Sequence, residues 1–552
     1  MAASRNLRRN RKGGALAAAM LFMIMVTVAG TALLSMSLIT RTTMVKNGID
    51  VRLMIAAESG VETLRGRFTL IDGVQDDWSW LSTASWTNVG TPTINGTPVS
   101  VDALSIGGAS VPTARVRASA AASGRTRFVE YVIRVASFSD YALFSGGAGT
   151  SFYGTNYKQV GNVYNNGIIQ ISPTTGVQFF GRTTTTMNVV YGPEGVAYNF
   201  PQQLPLEWQP VVTVPPLYNW TTLETVAGVV NAGNTHRYGE NTLWIEFLGT
   251  TYRRHFVRRN NTSAPTVAAA NANRPTGTGW LNTATGAFVG AAPVGGVSLN
   301  NTDYSYATET IAIPDEGVIY VATGSSASNY GDELNNRDTA AGSAAAVDNL
   351  FVQTPINVAD CRRYNGTNVP MLMVSGLLDS RRVTVVCEHL VTIKGNISYQ
   401  ALLNNPELRR FENKQSPAAT GYKEMLGVMS MMDINPAVHW WAPVAAAYNV
   451  NNLGGEFVPP HYANQYHCDG VFLGLTNAMP HNPYGAQDLD EWWLCGGLIG
   501  AQGRAAAGLG NTFKRRNYDW DWRMQTTMPP YFLRAYNTSA VFVPGTWRTY
   551  ET

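Results

Sequence analysis

The sequence has little charge: only 14% of its 552 residues are Asp, Glu, Lys or Arg. Between Lys12 and Arg41 the charge disappears altogether, because residues 13–40 contain no ionisable side chain. The formal net charge is +3, and five cations precede this gap without any acid, so the rest of the chain is slightly acidic. Those cations are Arg5, Arg8, Arg9, Arg11 and Lys12. A slightly acidic body does not suit a phosphate backbone, and this balance implies no nucleic-acid partner.

Cysteine is also scarce, and no CxxC pair occurs, which excludes zinc-knuckle spacing. The four cysteines are Cys361, Cys387, Cys468 and Cys495. Outside the cytoplasm they can form two disulfides. Proximity along the chain favours pairing the first with the second and the third with the fourth, but three connectivities remain open. Four buried thiols are the alternative.

Signals for catalysis and for metal binding are missing as well. There is no GxSxG, no Walker loop and no GxGxxG after a strand, and the two histidines of HYANQYHCD (461–469) have no known ligand spacing. We therefore expect no cofactor, no metal site and no enzyme activity. The alternative is a carbohydrate-active β-helix with clustered charges on an outer face. Its candidate residues would be Asp379, Arg381, Arg382 and Glu388.

What the sequence does contain is one long apolar run, residues 13–40. It exceeds the 7–15 apolar residues of a secretory signal, and it is long enough to span the hydrocarbon core of a bilayer. The preceding cations predict a cytoplasmic N-terminus, so the remainder lies outside the bacterial inner membrane.

The helical pattern continues beyond the apolar run as an amphipathic segment. Its apolar positions are Met44, Val45, Ile49, Leu53, Ala56, Ala57, Val61, Leu64 and Phe68. We predict one helix from about Ala15 to about Leu70, roughly 80 Å long, with its first half in lipid. Gly30 and Gly60 are the positions where this helix could bend.

This N-terminal layout resembles that of type IV prepilins and pseudopilins, and most closely the PilX-like minor pilins. The similarity rests on RKGGAL (11–16), the apolar core, Arg41 and RLMIAAESGVE (52–62). It implies cleavage by a prepilin peptidase after Gly13 or Gly14, which would leave Gly14 or Ala15 as the mature N-terminus. It also implies other pilin subunits and an inner-membrane assembly machinery as partners, and a final location in a periplasmic or extracellular filament.

One departure from the family is informative. Major pilins carry a glutamate at the fifth mature position, where this chain has Ala18 or Ala19, depending on the cut. Such a glutamate can pair with the buried N-terminal amine of a neighbouring subunit, since an unpaired buried ion is costly. A subunit without it is better suited to the filament tip than to the shaft.

The residues after the predicted helix are predicted to form a β-rich body. Alternating runs at 99–104, 114–119 and 128–138 predict a small antiparallel unit packed on the helix. Beyond residue 139, short apolar runs separated by Asn-Gly or Gly turns favour a parallel β-helix over a β-sandwich. In one such rung we expect five side chains to point inward: Val383, Val385, Val391, Ile393 and Ile397.

The order of these segments also resembles the passenger of large PilX-like proteins, in scattered pieces that cover about half of the chain. Examples are DYALFS (140–145), GVIYV (317–321) and YDWDWR (518–523). Between them, residues 206–220 and 242–261 depart from the pattern, and two strands joined at GTTY (249–252) are expected there.

The predicted fold class is α+β, with a long pilin-like helix followed by a mainly β body, a parallel β-helix or solenoid with a β-rich insertion. The expected units are a leader (1–14), the helix (15–70), a small β unit (71–138), a first solenoid part (139–182), an insertion (183–304) and a second solenoid part with a cap (305–552). Aromatic residues near the C-terminus are expected to form that cap or, if they are exposed, a surface for a glycan or protein ligand: Trp440, Trp441, Trp492, Trp493, Trp520, Trp522 and Tyr531. The expected function is that of a non-enzymatic minor pilin or pseudopilin in a type IV pilus or type II secretion filament. A static membrane-anchored surface adhesin is the main alternative.

Overall fold

The computed structural model describes most of the helix and the body, in a series of segments. They are residues 3–68, 78–107, 111–191, 204–212, 220–229, 235–259, 280–289, 304–322, 363–368, 371–405, 423–436, 465–479, 489–505, 513–534 and 541–551. Within these segments, residues 79, 154–156, 172–176, 240–241, 283–286, 365–366, 389, 526 and 544–545 are not described.

The long N-terminal helix α1 spans Ala3–Leu64 and continues into a 3-10 turn, Arg65–Phe68. Its 62 residues correspond to a rod of about 90 Å. It therefore begins before the predicted start and ends a few residues before the predicted end. The helix is continuous through both Gly30 and Gly60. Two short helices follow in the body, α2 (Trp220–Gly228) and α3 (Gln400–Asn404).

All the other regular elements are strands. The first group is β1 (Thr87–Gly90), β2 (Thr93–Ile94), β3 (Thr97–Ser105), β4 (Thr113–Ala122) and β5 (Arg125–Arg134). The second is β6 (Tyr141–Ser145), β7 (Ser151–Tyr153), β8 (Lys158–Val160), β9 (Asn162–Asn165), β10 (Ile169–Ile171), β11 (Gln178–Phe180), β12 (Thr183–Thr185) and β13 (Val189–Val190). The third is β14 (Arg237–Tyr238), β15 (Thr242–Gly249), β16 (Thr251–Arg259), β17 (Trp280–Asn282), β18 (Ala287–Val289), β19 (Tyr304–Ala312) and β20 (Gly317–Val321). The last is β21 (Arg363–Tyr364), β22 (Thr367–Asn368), β23 (Met371–Leu378), β24 (Arg382–Cys387), β25 (Leu390–Tyr399), β26 (Met425–Ser430), β27 (Ile434–Pro436), β28 (Gln465–Gly474), β29 (Leu489–Gly500), β30 (Phe513–Asp519), β31 (Val541–Phe542) and β32 (Arg548–Glu551).

A small antiparallel sheet packs on the second half of α1. Its strand order is β1-β3-β4-β5-β31, with β2 beside β3 and β32 beside β5. The three alternating runs predicted from the sequence fall in β3, β4 and β5. In β4, alternate small residues are buried against the helix, as period-two alternation requires: Ala114, Val116, Ala118 and Ala120. The last two strands come from the C-terminus of the chain, which the sequence pattern did not indicate.

The large body is built mainly from parallel ladders, which we call the parallel stack. One ladder runs β20-β24-β26-β28-β29-β6-β9-β12. A second runs β15-β23-β25-β28-β29-β30-β8-β11, and a third, shorter ladder joins β7, β10 and β13. The strands β28 and β29 belong to two ladders because each bends at a glycine, Gly470 or Gly496, with a positive φ. A Cβ on Gly496 would lie only 1.8 Å from the Gly470 oxygen, so the corner requires glycine.

The order of strands in the stack differs from their order in the sequence. The strand β29 pairs with β6 (Leu498 with Leu143), and β30 pairs with β8 (Tyr518 with Gln159). The first strands of the body therefore extend the stack past its last strands. As a result, Trp492 on β29 and Trp520 directly after β30 are buried within the body, beside strands that pair on both sides. Trp440 and Trp441 lie outside the described residues, and the terminal cap stays a prediction.

Residues 183–304 were expected to form an insertion, but part of this range belongs to the stack. The strand β12 pairs with β9, β14 with β20, and β15 with β23, all in parallel. The two strands predicted around GTTY are β15 and β16, which form an antiparallel hairpin, and β19 pairs with β16 on the other side. Long-range pairing of this kind is invisible to local sequence pattern, which explains the difference in boundaries.

Two apolar cores run through the described part of the molecule. The inner core lies between the ladders and contains all five side chains predicted to point inward from 383–397. The junction core lies on the outer face of the first ladder and joins it to α1, to the small sheet and to α2. In β24 the two cores alternate: Val383 and Val385 belong to the inner core, and Val386 to the junction core.

Candidate functional site

The most unusual surface of the protein is the first half of α1, which projects without any cover from the described body. Large apolar side chains from Met20 to Ile39 are exposed, including Phe22, Leu33 and Leu34. Among the described residues, α1 is the one helix long and apolar enough to cross a membrane. Such a large contiguous apolar surface requires a non-aqueous partner.

The second half of α1 is fixed to the small sheet by close packing. Leu53, Ala57 and Val61 are buried against the sheet, one to two turns apart. Gly60 allows a close approach, because a Cβ at this position would lie 2.6 Å from Cγ1 of Val99 on β3. The glycine at which the helix could bend is thus a point of close contact between helix and sheet.

Ion pairs add a polar clamp at the edge of this packing. Asp50 of α1 accepts a hydrogen bond from Arg125, and its carboxylate lies 2.9 Å from the Arg127 guanidinium. Arg52, one half-turn further along, donates a hydrogen bond to the backbone oxygen of Asn95 at 3.0 Å. Residues two apart point in nearly opposite directions around a helix, so Asp50 and Arg52 contact the sheet from two sides of α1 and together fix its rotation.

The C-terminal residues of the chain also contact α1. The indole Nε1 of Trp547 donates to Oε1 of Glu58 at 3.2 Å, and the Arg65 guanidinium lies 5.5 Å from the ring centroid of Phe542. Burial, together with the negative charge of Glu58, raises the pKa of Tyr131 in β5 to about 12. This tyrosine therefore stays neutral under physiological conditions.

The small sheet is joined to the parallel stack by a second buried contact. Arg134, at the end of β5, donates to the carboxylate of Asp140 and, at 2.6 Å, to the backbone oxygen of Met524. Ser137 donates to the backbone oxygen of Leu533 at 3.0 Å, and Trp520 donates to that of Ser139 at 2.9 Å. The sheet and the stack are therefore connected by buried, directional bonds.

The residues predicted for processing lie in the projecting helix. Gly13, Gly14 and Ala15 are part of α1, and Ala18 and Ala19 are exposed on it. The structure does not test cleavage or the role of the missing glutamate, so both remain predictions.

The three described cysteines lie inside the body. Cys387, Cys468 and Cys495 are buried in the inner core, and Cys361 lies outside the described residues. In the β28–β29 register, Cys468 stands beside Leu494, and Cys495 stands beside Asp469. The disulfide pairing proposed from the sequence stays a prediction.

The four residues considered for a carbohydrate-active site all have contacts within the chain. Arg382 donates to Glu316 at 2.7 Å and to the backbone oxygen of Met528 at 2.7 Å, and Glu388 accepts from Tyr320 at 2.5 Å. Asp379 accepts a hydrogen bond from Ser380. Arg381 and Asp315 form an exposed pair at 4.0 Å. No group of three or more His, Cys, Asp or Glu side chains among the described residues could hold a metal ion.

Sequence reasoning missed the partners of the helix. Arg125 and Arg127 alternate on β5, so period two places both on one face of the sheet, and Asp50 is the first acidic residue of the chain. Those two signals together could have suggested an ion pair. Trp547 had no comparable signal, because its 489-residue separation from Glu58 leaves no local trace.

Comparisons with known proteins add little. No protein-family model matches the chain, and no curated protein sequence matches it. Among solved structures, the competence-associated pilin ComZ from Thermus thermophilus aligns over 91% of this chain and 98% of that chain, at 10% identity and a TM-score of 0.22. A TM-score this low does not establish a shared fold. The coarse architecture, a long apolar helix followed by a strand-rich body, is established by the structure of this chain alone.

Proposed function

We propose that the protein is a minor-pilin-like or pseudopilin-like structural subunit of a type IV pilus or type II secretion filament. The observation that supports this most is the division of α1 into two halves. The first half is apolar and exposed, and the second half is fixed to a sheet by Gly60, Asp50 and Trp547. A rod held in this way can exchange lipid for similar apolar helices without any rearrangement of the body.

In this proposal the N-terminus starts in the cytoplasm and the body lies outside the inner membrane. A prepilin peptidase removes the leader after Gly13 or Gly14, and the assembly machinery extracts the helix into a bundle with other pilin subunits. Because Ala18 or Ala19 replaces the usual glutamate, the subunit cannot supply the counter-charge for a neighbour's amine. We therefore place it at or near the filament tip.

We further propose that the body is a parallel β-solenoid displayed on the filament, similar to the passengers of PilX-like proteins. The three parallel ladders and the inner core between them support this architecture. The structural contacts of Arg382 and Glu388 support a non-enzymatic role, in which the body is a displayed surface rather than a catalyst.

The test is the mass of the mature N-terminus. We expect the chain purified from membranes or sheared filaments to begin at residue 14 or 15, with the leader absent. Gly13→Val and Gly14→Val, made singly, identify the cleavage site, because only the residue preceding the cut should be needed for processing. A conservative change outside the leader, Val45→Ile, is the matched control.

Two other results would redirect the interpretation. An intact leader, together with a protein that never copurifies with filaments, would indicate a static membrane-anchored adhesin. Cleavage of an acidic polysaccharide by the purified full-length protein would indicate a carbohydrate-active enzyme instead.

A further inference from the structure

The last strands of the chain complete the sheet that holds α1. The strand β31 pairs with the end of β5, Val541 with Arg134 and Phe542 with Ile133. The strand β32 pairs with the start of β5, from Arg548 opposite Glu130 to Glu551 opposite Arg127. Among the described strands, β31 and β32 are the neighbours of β5 on the side away from β4.

The residues between these two strands also bond to β5 and to the helix. The amide of Val543 donates to the backbone oxygen of Val132 at 2.8 Å. The amide of Val132 donates in turn to Oγ1 of Thr546 at 3.1 Å. Trp547 reaches past the sheet to Glu58, and the ring centroid of Phe542 lies 4.9 Å from that of Tyr131. We call residues 541–551 the C-terminal clasp.

The clasp is very distant in sequence from the sheet that it closes: Val132 and Thr546 are 414 residues apart. In an unfolded chain, a loop of this length makes the pairing improbable. The folded body removes the obstacle, since Leu533 accepts hydrogen bonds from both the amide of Phe138 and the hydroxyl of Ser137. Arg534 forms an antiparallel bridge with Ser137 at the same point.

The segment that leads to the clasp is itself held by the stack. Arg382 donates to Oγ1 of Thr527 at 2.6 Å, and Thr384 donates to the backbone oxygen of Pro530. Gly427 leaves room for Phe532, since a Cβ there would lie 2.7 Å from the Phe532 ring. These anchors lie on β24 and β26, so residues 527–534 are positioned only after those strands have stacked.

From these contacts we infer that the C-terminal clasp makes the helix-bearing module the last part of the protein to be completed. The helix and β1–β5 are synthesised first, but the outer edge of β5 stays open until the stack has folded and delivers residues 541–551. Completion of the module thus reports that the body is folded. On the proposed function, an unfinished body would leave a helix that is poorly oriented for insertion into a filament.

The first test is hydrogen–deuterium exchange in detergent, comparing the full chain with a chain that ends at residue 540. We expect the amides of residues 125–134 that face the clasp, such as that of Val132, to exchange at least about tenfold faster in the shortened chain, while those of β24 and β26 keep their protection. A synthetic peptide of residues 541–552, added in excess, should restore the slow exchange. Unchanged exchange in residues 125–134, or loss of protection throughout the stack, would overturn the inference.

Point variants test the same inference by a smaller change that keeps the full-length chain. Phe542→Ala and Trp547→Ala should each accelerate exchange in residues 125–134. The matched control is Phe152→Ala, because Phe152 is exposed on the stack and far from the clasp in the strand order. Equal effects of Phe542→Ala and Phe152→Ala on residues 125–134 would contradict the assignment.

The link to assembly is measured separately. The shortened chain should still lose its leader but should be recovered with sheared filaments at a small fraction of the full-length amount. Equal recovery would exclude the coupling, whereas an uncut leader in the full-length protein would refute the filament function and leave the exchange result standing.

Discussion

Gly60 is the residue on which the docking of α1 depends most directly. Because a Cβ at this position would lie 2.6 Å from Val99, Gly60→Ala should separate helix and sheet despite alanine's better helix propensity. We expect a net loss of about 1–2 kcal/mol in the free energy of unfolding. Thermal and denaturant unfolding in detergent would measure it.

Gly48 provides the control on the same helix, because nothing lies within 4 Å of a Cβ at that position. Gly48→Ala should stabilise the protein by about 0.5–1 kcal/mol, since only the propensity changes. Similar effects of the two substitutions would show that Gly60 has no packing role.

His236 gives the body a dependence on pH. It is only 3% exposed, and its Nδ1 lies 2.8 Å from the hydroxyl of Tyr252, which lies 2.5 Å from that of Tyr238. Burial lowers the pKa of His236 to about 4. As the pH falls below the ordinary value of 6.5, the unfolded chain binds a proton that the folded chain does not bind until about pH 4.

The free energy of unfolding should therefore decrease by about 2 kcal/mol as the pH falls from 7 to 5. Tm measured across this range is the readout, with His236→Gln as the variant that cannot titrate. Desolvation raises the pKa of the buried Asp433, which stabilises the folded protein as the pH falls and so opposes the effect of His236. Because Asp433 is present in both proteins, the difference between their Tm profiles isolates His236. An unchanged pH profile in the variant would contradict the assignment.

At the scale of elements, the clamp between α1 and β5 should depend on one carboxylate. Asp50→Asn keeps the shape of the side chain but removes the charge that faces Arg125 and Arg127. We expect a clear decrease in Tm, and faster exchange of the amides in residues 49–64. Glu62→Gln is the matched control, because the Glu62–Arg65 pair is exposed and should contribute little.

The elements also show how the sheet edges are protected. The strand β1 shifts register between Asn88 and Gly90, and the opposite edge is divided between β31 and β32. Irregular edges of this kind disfavour pairing with other chains. The small sheet can therefore present α1 to partners without itself joining a foreign strand.

At the scale of the whole molecule, the apolar surface that needs a partner is concentrated in the first part of α1. We expect a chain that lacks residues 1–44 to stay monodisperse without detergent in size-exclusion chromatography, while the full-length chain requires detergent. The shortened chain should keep the pH dependence attributed to His236, which shows that the body has folded. Aggregation of the shortened chain with loss of that dependence would mean that the body requires the helix to fold.

Local sequence patterns were sufficient to predict several of the helices and strands. The uncharged run and the amphipathic pattern predicted α1, and period-two alternation predicted β3, β4 and β5 and the inward side chains Val383 and Val385, because these signals depend only on neighbouring residues. The tertiary structure decided which distant segments meet: the return of residues 541–551 to β5, the pairing of β29 with β6, and the interior position of Trp492 and Trp520. Backbone hydrogen bonds between strands do not depend on the residue type. Strands hundreds of residues apart therefore pair in a defined order only when the whole core is packed.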